Sequence, residues 1–271
     1  MIRARRVGIV ARDDLSQMAE NIFERIRDHL DVIADPGTAL KLGIDGAPIS
    51  DMDVDVILCI GGDGTILRTI AAMDDPIPVL GIGMGALGFL AALTPDEALA
   101  NICEIIDNFE VEERSRLDVI VNKKKEATAM NEIVVLTLRP AKMLHFEILI
   151  DGEGFERLRA DGVVFSTPTG STAYSMSAGG PIVDPGMDCT LIVPLAPFKL
   201  SARPAVVAGS SRIRIELLEP EKDAMLVVDG EINRSVSMGD EIEIVKSDRS
   251  ALFVKSGESF FTRVRDKLMR I

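Results

Sequence analysis

With 271 residues and a net charge of −13 at pH 7, the chain is long enough for one large domain or two modest ones, each with a buried core. Hydrophobic residues at 47% and charged residues at 27% exclude a disordered or fibrous chain. The acidic balance, with no Trp and one Tyr, opposes broad attraction to nucleic acid or an anionic membrane and leaves few platforms for base stacking.

From Val7 to about Phe109 short apolar runs alternate with helical periodicity, the pattern of a parallel sheet covered by helices. Val7 to Val10 reads as a buried strand, too short for a signal-peptide core. Leu15, Met18, Ala19, Ile22, Phe23, Ile26 and Leu30 then recur at spacings of three and four, so one helix face is apolar. A Gly/Pro/Asp-rich passage from Asp35 to Asp53 precedes a second buried run, Val54 to Ile60. Gly61-Gly62-Asp63-Gly64 punctuates it, Thr65 to Met73 reads as helix, and Pro78 to Ile82 as strand. Thr94-Pro95-Asp96-Glu97 supplies a cap, a proline and an acid that start a helix running to Phe109.

After residue 110 the period changes to two. Leu144 to Ile150, Arg212 to Leu217 and Glu241 to Ile244 alternate apolar with polar residues, as half-buried antiparallel strands do. Turn signals include Asn122 to Lys125, Asp151-Gly152-Glu153-Gly154, Asp229-Gly230 and Met238-Gly239-Asp240. The expected division is an α/β domain over 1–109 and a β-rich domain over 110–258, with a closing helix over 259–271 that docks back on the first. No stretch approaches the ~20 apolar residues of a membrane span. Cys59, Cys103 and Cys189 form no CxxC pair and cannot all pair within the chain, which suits a reducing, cytoplasmic interior. His29 and His145 are too few for most His-based metal sites; one closes a helical pattern and the other lies on the polar face of a strand.

Two constellations carry chemistry. Gly61, Gly62 and Gly64 at the carboxyl end of a parallel strand expose backbone N–H groups at a helix start, an arrangement that cradles phosphate. Phosphate and carboxylate repel, so Asp63 among those glycines makes sense if it faces an acceptor hydroxyl and takes its proton; otherwise it is a plain helix cap. The second constellation runs from Asp161 to Pro181, a strand opening into a turn dense in Ser and Thr. Its small side chains admit a ligand closely, its hydroxyls offer uncharged hydrogen bonds, and Tyr174 can stack on a planar ring. It contains no Lys or Arg, which suits a base or ribose better than naked phosphate; the alternative is an ordinary polar loop.

Gly61-Gly62-Asp63-Gly64-Thr65, the Asn131-Glu132 pair, the Asp161 to Pro181 segment and Asp229-Gly230, in this order and spacing, resemble the NAD kinases over nearly the whole chain. The glycine turn alone is shared with diacylglycerol and sphingosine kinases and, more loosely, phosphofructokinases; the second segment is more specific. The resemblance implies an amino-terminal Rossmann-like α/β domain, a carboxy-terminal β-sandwich-like domain, an active site in the cleft between them, and homodimers or homotetramers. It makes Asp63 the carboxylate near the 2′-hydroxyl of the adenosine ribose, with Gly61, Gly62, Gly64 and Thr65 forming the phosphate turn. Asn131 and Glu132 match the pair that holds adenine and ribose. Asp161, Ser166, Thr169, Thr172, Ala173, Tyr174 and Ser177 match the dinucleotide pocket, with Tyr174 at the adenine. A divalent metal, usually magnesium, would accompany the donor phosphates, although no cluster here is an evident ligand set. The chain departs from many family members in the loop after the third strand, where Gly83 and Ala86 replace an asparagine and a basic residue; Arg68, Lys199 or Arg203 would have to supply cations instead.

The expected activity is transfer of a phosphoryl group from ATP or inorganic polyphosphate to the 2′-hydroxyl of NAD, giving NADP. The alternatives are a lipid or sugar kinase sharing the glycine turn, disfavoured by the lack of a basic amphipathic helix, and a sensor that binds NAD or NADP without turnover.

Overall fold

The computed structural model describes residues 1–84, 88–139, 141–220, 222–255 and 259–268. Ala86 of the departing loop and residues 269–271 of the expected closing helix lie outside the described residues. The chain forms two compact units, Met1–Arg114 with Ala251–Ile271, and Ser115–Ser250.

The first unit opens with β1 (Arg6–Ala11), α1 (Ser16–Ile26), β2 (Asp31–Ala34), α2 (Pro36–Leu42), β3 (Val56–Ile60), α3 (Asp63–Ala71), β4 (Val79–Ile82), α4 (Pro95–Asp107) and β5 (Val111–Arg114). The second unit follows with β6 (Leu117–Val121), β7 (Lys124–Ala129), β8 (Glu132–Thr137), β9 (Leu144–Ile150), β10 (Glu153–Ala160) and β11 (Gly162–Ser166). After a 3-10 turn at Thr169–Thr172 come α5 (Tyr174–Ser177), β12 (Cys189–Leu195), β13 (Ala205–Ala208), β14 (Ile213–Leu217), β15 (Ala224–Val228), β16 (Glu231–Val236) and β17 (Ile242–Lys246). The chain then returns to the first unit as β18 (Ala251–Val254) and α6 (Phe260–Leu268).

In the first unit the strand order is β2-β1-β3-β4-β18-β5. β1 pairs in parallel with both β2 and β3, β3 with β4, and β4 with β18; only β5 runs antiparallel. All five residues of β3 are buried, as expected for a strand covered on both faces. The sheet's switch point lies between β1 and β3, whose carboxyl ends therefore flank the crevice where open α/β sheets hold ligands. Helix α1 buries Met18, Ala19, Ile22, Phe23 and Ile26 on the stripe its periodicity predicted. Helix α4 begins with a complete capping box: the Glu97 N–H donates to the Thr94 hydroxyl, and the Thr94 N–H donates to the Glu97 carboxylate.

Two features differ from the sequence expectation. The Asp35 to Asp53 passage contains α2, started by Asp35, whose carboxylate accepts from the N–H groups of Gly37 and Thr38. Its seven residues carry too few apolar positions for a periodic stripe. The division also falls elsewhere than 109/110 and 258/259. β5 and β18 pair with each other at the edge of the first sheet, and Arg114 stacks its guanidinium 4.5 Å from the Phe253 ring, so both strands belong to the first unit.

The second unit is a sandwich of two antiparallel six-stranded sheets, ordered β10-β9-β14-β17-β6-β7 and β13-β12-β11-β8-β15-β16. One core joins their inner faces, with Phe146, Ile148, Ile213 and Ile244 from the first sheet against Ile133, Val135, Phe165 and Leu226 from the second. The outer face of the second sheet is also covered, with Val134, Val164, Leu191 and Val193 packed against Val183 and Ala178. This second cover belongs to the Asp161–Pro181 segment and the chain just after it, and it explains why β8 and β11 read as continuous apolar runs rather than alternating ones. Replacing Thr94 with Ala should cost the first unit about 1 kcal/mol by removing the helix cap; a lower urea midpoint for its helical circular-dichroism signal is the expected reading.

Candidate active site

The glycine turn lies wholly in the first unit, where β3 ends and α3 begins. The Gly61 N–H is spent on the Ile82 carbonyl at 3.0 Å, which ties the turn to β4. A Cβ on Gly61 would meet Thr65 Oγ1 at 2.4 Å, so packing within the protein requires glycine there. A Cβ on Gly62 would meet nothing within 4 Å, and one on Gly64 only the Arg68 guanidinium at 3.9 Å. Internal packing does not require glycine at these two positions, and the space over the turn stays open there. Gly62 is the N-cap and provides no side-chain cap. Among the described residues the amides of Asp63 and Gly64 find no backbone acceptor, leaving donors at the positive end of α3.

Asp63 is not the helix cap. It is the first residue of α3, and its carboxylate reaches the chain beyond β4, accepting from the N–H of Phe89 at 2.7 Å and of Leu90 at 3.1 Å. One donor on each oxygen fixes the carboxylate plane and leaves each oxygen a further lone pair. Backbone at residue 88 approaches so closely that a Cβ there would lie 1.7 Å from Asp63 Oδ1. The Lys267 ammonium of α6 donates to the Gly88 carbonyl and stands 4.5 Å from the Phe89 ring centroid, so the last helix pins the segment that pins Asp63.

The other predicted residues lie wholly in the second unit. Met130 and Asn131 form a turn into β8, and the Asn131 carbonyl accepts from the Thr167 N–H at 2.9 Å. The Thr167 hydroxyl donates to the Met130 carbonyl at 2.7 Å and accepts from the Gly170 N–H at 3.0 Å. A Cβ on Gly170 would fall 2.2 Å from the Asn131 carbonyl oxygen. Turn and loop are thus locked in one register.

The loop's hydroxyls divide into two sets. Ser166 is fully buried and its hydroxyl lies within reach of the Asn131 and Thr167 carbonyls; Thr172 donates to the Thr169 carbonyl, and Ser171 bonds both the N–H and the carbonyl of Val183. Those groups shape the loop. By contrast Thr169 Oγ1, Ser175 Oγ and Glu132 Oε2 are buried polar atoms without a partner, a state that demands a ligand or water. Tyr174 is 42% exposed despite its large ring, Ser177 is exposed and Ala173 half-buried. The Asp161 carboxylate makes no hydrogen bond or ion pair with any described residue; its backbone holds the Thr137 N–H and the Leu195 carbonyl.

The sequence assigns no site role to Thr167 or Ser175, and marks Asp229 only as part of a turn and of the family resemblance. The Asp229 carboxylate accepts from the N–H groups of Met130, Asn131 and Glu132 at 2.7, 2.7 and 3.1 Å. Burial, with Asp229 as a like charge nearby, pushes the Glu132 carboxyl up to about 7, opposed only by an N–H from Tyr174. Burial also raises Asp229, but its three N–H donors and Arg116 favour its anion. Below about pH 7 the pair therefore keeps its proton on Glu132, while the three N–H donors and Arg116 favour the charge on Asp229. Cys59 is buried and pushed up to about 12 by desolvation, which keeps it a neutral thiol. Among the described residues no three His, Cys, Asp or Glu side chains stand together as a metal cage.

A glycine turn at a sheet switch point, with free amides at the start of the following helix, is an arrangement that receives phosphate groups, and the relatives of this chain make it a kinase. The chain belongs to the NAD kinase family. Residues 44–109 match the model of the ATP-NAD kinase N-terminal domain and residues 130–256 that of the ATP-NAD kinase C-terminal domain. The NAD kinase of Methanosarcina mazei is 43% identical, over 97% of this chain and 94% of the relative. That of Methanothermobacter thermautotrophicus is 46% identical, over 97% and 96%. Among solved structures, yeast NADH kinase complexed with NADH matches with a TM-score of 0.89 and 28% identity, over 99% of this chain and 88% of that one. The NAD kinase from Archaeoglobus fulgidus in complex with ATP matches with a TM-score of 0.80 and 32% identity, over 96% and 98%.

The Glu132 shift has a thermodynamic consequence. Because its folded carboxyl titrates above its ordinary value of 4.5, the folding stability it allows is complete below that value and is lost as pH rises through about 7. Glu132→Gln should match the parent at pH 4 and exceed it at pH 8.5 by on the order of 3 kcal/mol, measured as thermal or urea unfolding at the two pH values.

Proposed function

We propose that this enzyme, which phosphorylates NAD to NADP as its family does, divides the work between the two constellations. The Gly61–Thr65 turn receives the donor phosphates on the free amides of Asp63 and Gly64, where Gly62 and Gly64 leave room. Asp63, oriented by the Phe89 and Leu90 amides, accepts the proton of the adenosine 2′-hydroxyl as its oxygen attacks the terminal phosphorus. Positioning and charge stabilisation supply most of the acceleration, with general-base catalysis adding ~10²–10⁴-fold. The single observation that carries this reading is the held Asp63 carboxylate beside glycines whose missing side chains nothing in the protein requires.

In the second unit, Tyr174 stacks on the adenine, and Asn131, Glu132 and Asp161 bind its ribose and the rest of the dinucleotide. Thr169, Ala173 and Ser177 line the pocket, while Ser166 and Thr172 hold the loop in shape. ATP is the donor we favour over polyphosphate, given the Archaeoglobus fulgidus relative complexed with ATP. Magnesium enters with the donor as part of the substrate, since among the described residues no three His, Cys, Asp or Glu side chains stand together to hold it. Of the three cations considered for the donor, Lys199 is paired with Glu156, and Arg203 donates to the Leu200 and Ala202 carbonyls. Arg68, one turn along α3 from Gly64 and without an ion pair to any described residue, is the one we assign to the phosphates. A cytoplasmic location accords with three free cysteines. Assembly into a homodimer or homotetramer accords with the exposed side chains of Phe198 and Leu200.

With NAD, magnesium and ATP, Asp63→Asn should fold as the parent yet lose ~10²-fold or more in kcat; NADP formation at the parental rate would remove Asp63 from the chemistry. Gly88→Ala keeps the carboxylate but displaces it, and a similar ~10²-fold loss is expected. Tyr174→Ala should raise KM for NAD about tenfold, as loss of one stacked base does, with KM for ATP unchanged; equal increases for both substrates would argue against stacking.

A further inference from the structure

The hairpin between β15 and β16 turns on Asp229 and Gly230, with φ of 48° and 84°. Such a two-residue turn is served as well by Asn as by Asp, so the turn does not account for a carboxylate at 229. Nor does burial favour one, since it raises the proton affinity of Asp229. What a carboxylate provides is two acceptor oxygens for three consecutive N–H groups, those of Met130, Asn131 and Glu132. A carboxamide offers one. The Asp229 N–H in turn donates to the Glu132 carbonyl at 3.0 Å, closing the lock from the other side.

We propose that Asp229 is a positioning residue for the dinucleotide, fixing the Asn131–Glu132 backbone and, through it, the two side chains that bind substrate. The inference rests on the reading of Asn131 and Glu132 as dinucleotide ligands. The lock extends further, because the same turn's carbonyls hold Thr167, and Thr167 holds Gly170 of the hydroxyl loop. Loss of Asp229 therefore loosens both walls of the pocket together. Its charge has a second effect. A negative Asp229 raises the proton affinity of Glu132, so below about pH 7 that carboxyl meets a ligand already bearing phosphates as a neutral O–H donor rather than as a repelling anion.

The test is steady-state kinetics of the full chain from pH 5.5 to 9, with Asp229→Asn, Asp229→Glu and Asn131→Ala beside the parent. Asp229→Asn should raise KM for NAD about tenfold, the worth of one charged hydrogen bond, with KM for ATP within about twofold. It should also move the pH midpoint of KM for NAD downward, because removing the like charge lets Glu132 ionise earlier. Asp229→Glu keeps the charge and displaces the oxygens, so it should raise KM for NAD with the midpoint unmoved. That variant carries the KM test if Asp229→Asn fails to give a cooperative unfolding transition. A folded Asp229→Asn with parental KM for NAD and parental midpoint would overturn the inference, as would equal increases in KM for both substrates. If Asn131→Ala leaves KM for NAD unchanged, the reading of the Asn131–Glu132 pair fails and the inference falls with it; if Asn131→Ala raises it and neither Asp229 variant does, only the inference fails.

Discussion

A carboxylate gripped by consecutive main-chain N–H groups organises each constellation of this protein. Asp63 is held by the amides of Phe89 and Leu90, and Asp229 holds the amides of Met130, Asn131 and Glu132. Charge-assisted bonds of this kind are short, directional and about twice as strong as neutral ones. Backbone amides also cannot swing away as side-chain donors can, so a carboxylate that engages two or three of them is held as firmly as the main chain that carries them. In the first unit the grip fixes the Asp63 carboxylate; in the second it fixes the chain at Asn131 and Glu132.

The surrounding fold supplies what these grips need. Parallel pairing of β3 with β1 and β4 brings the carboxyl end of β3 to the sheet's switch point, where the amides of a following helix are left without carbonyl partners. The glycines then decide who may approach: Gly61 is required by Thr65 inside the protein, and Gly88 by the carboxylate of Asp63, whereas Gly62 and Gly64 leave space to the outside. In the sandwich, the second sheet is buried on both faces, so the loop after β11 is stiffened by packing as well as by its own hydroxyls. Three buried polar atoms in that loop and in Glu132 are left unpaired, a cost in stability that the fold does not recover within itself.

Much of this is legible in the sequence, and the limits have physical causes. The apolar stripe of α1, the capping box of α4 and the alternation of β9 and β14 follow from local spacing, which is why they can be read without a fold. The glycine turn and the hydroxyl loop announce themselves by composition. The partners of Asp63 and Asp229 do not, because a carboxylate bound to main-chain N–H groups leaves no trace in residue identity at positions 89, 90, 130 or 131. Helix α2 escapes because seven residues do not establish a period. The returning strand β18 escapes because its place, parallel to β4 across most of the chain's length, is set by pairing of distant segments. The division of hydroxyls into those spent on backbone and those left free is likewise a matter of tertiary geometry: Ser166 and Thr169 look equivalent in the sequence and are opposite in state.

The reaction assigned to Asp63 depends on distance above all, since a general base must reach the proton it removes. A crystal structure of the protein with NAD bound gives that distance directly. If Asp63 is the base, one of its carboxylate oxygens lies within about 2.6–3.2 Å of the adenosine 2′-oxygen, with the Phe89 and Leu90 amides still on the carboxylate. A 2′-oxygen well beyond that range, with no bridging water, would contradict that role.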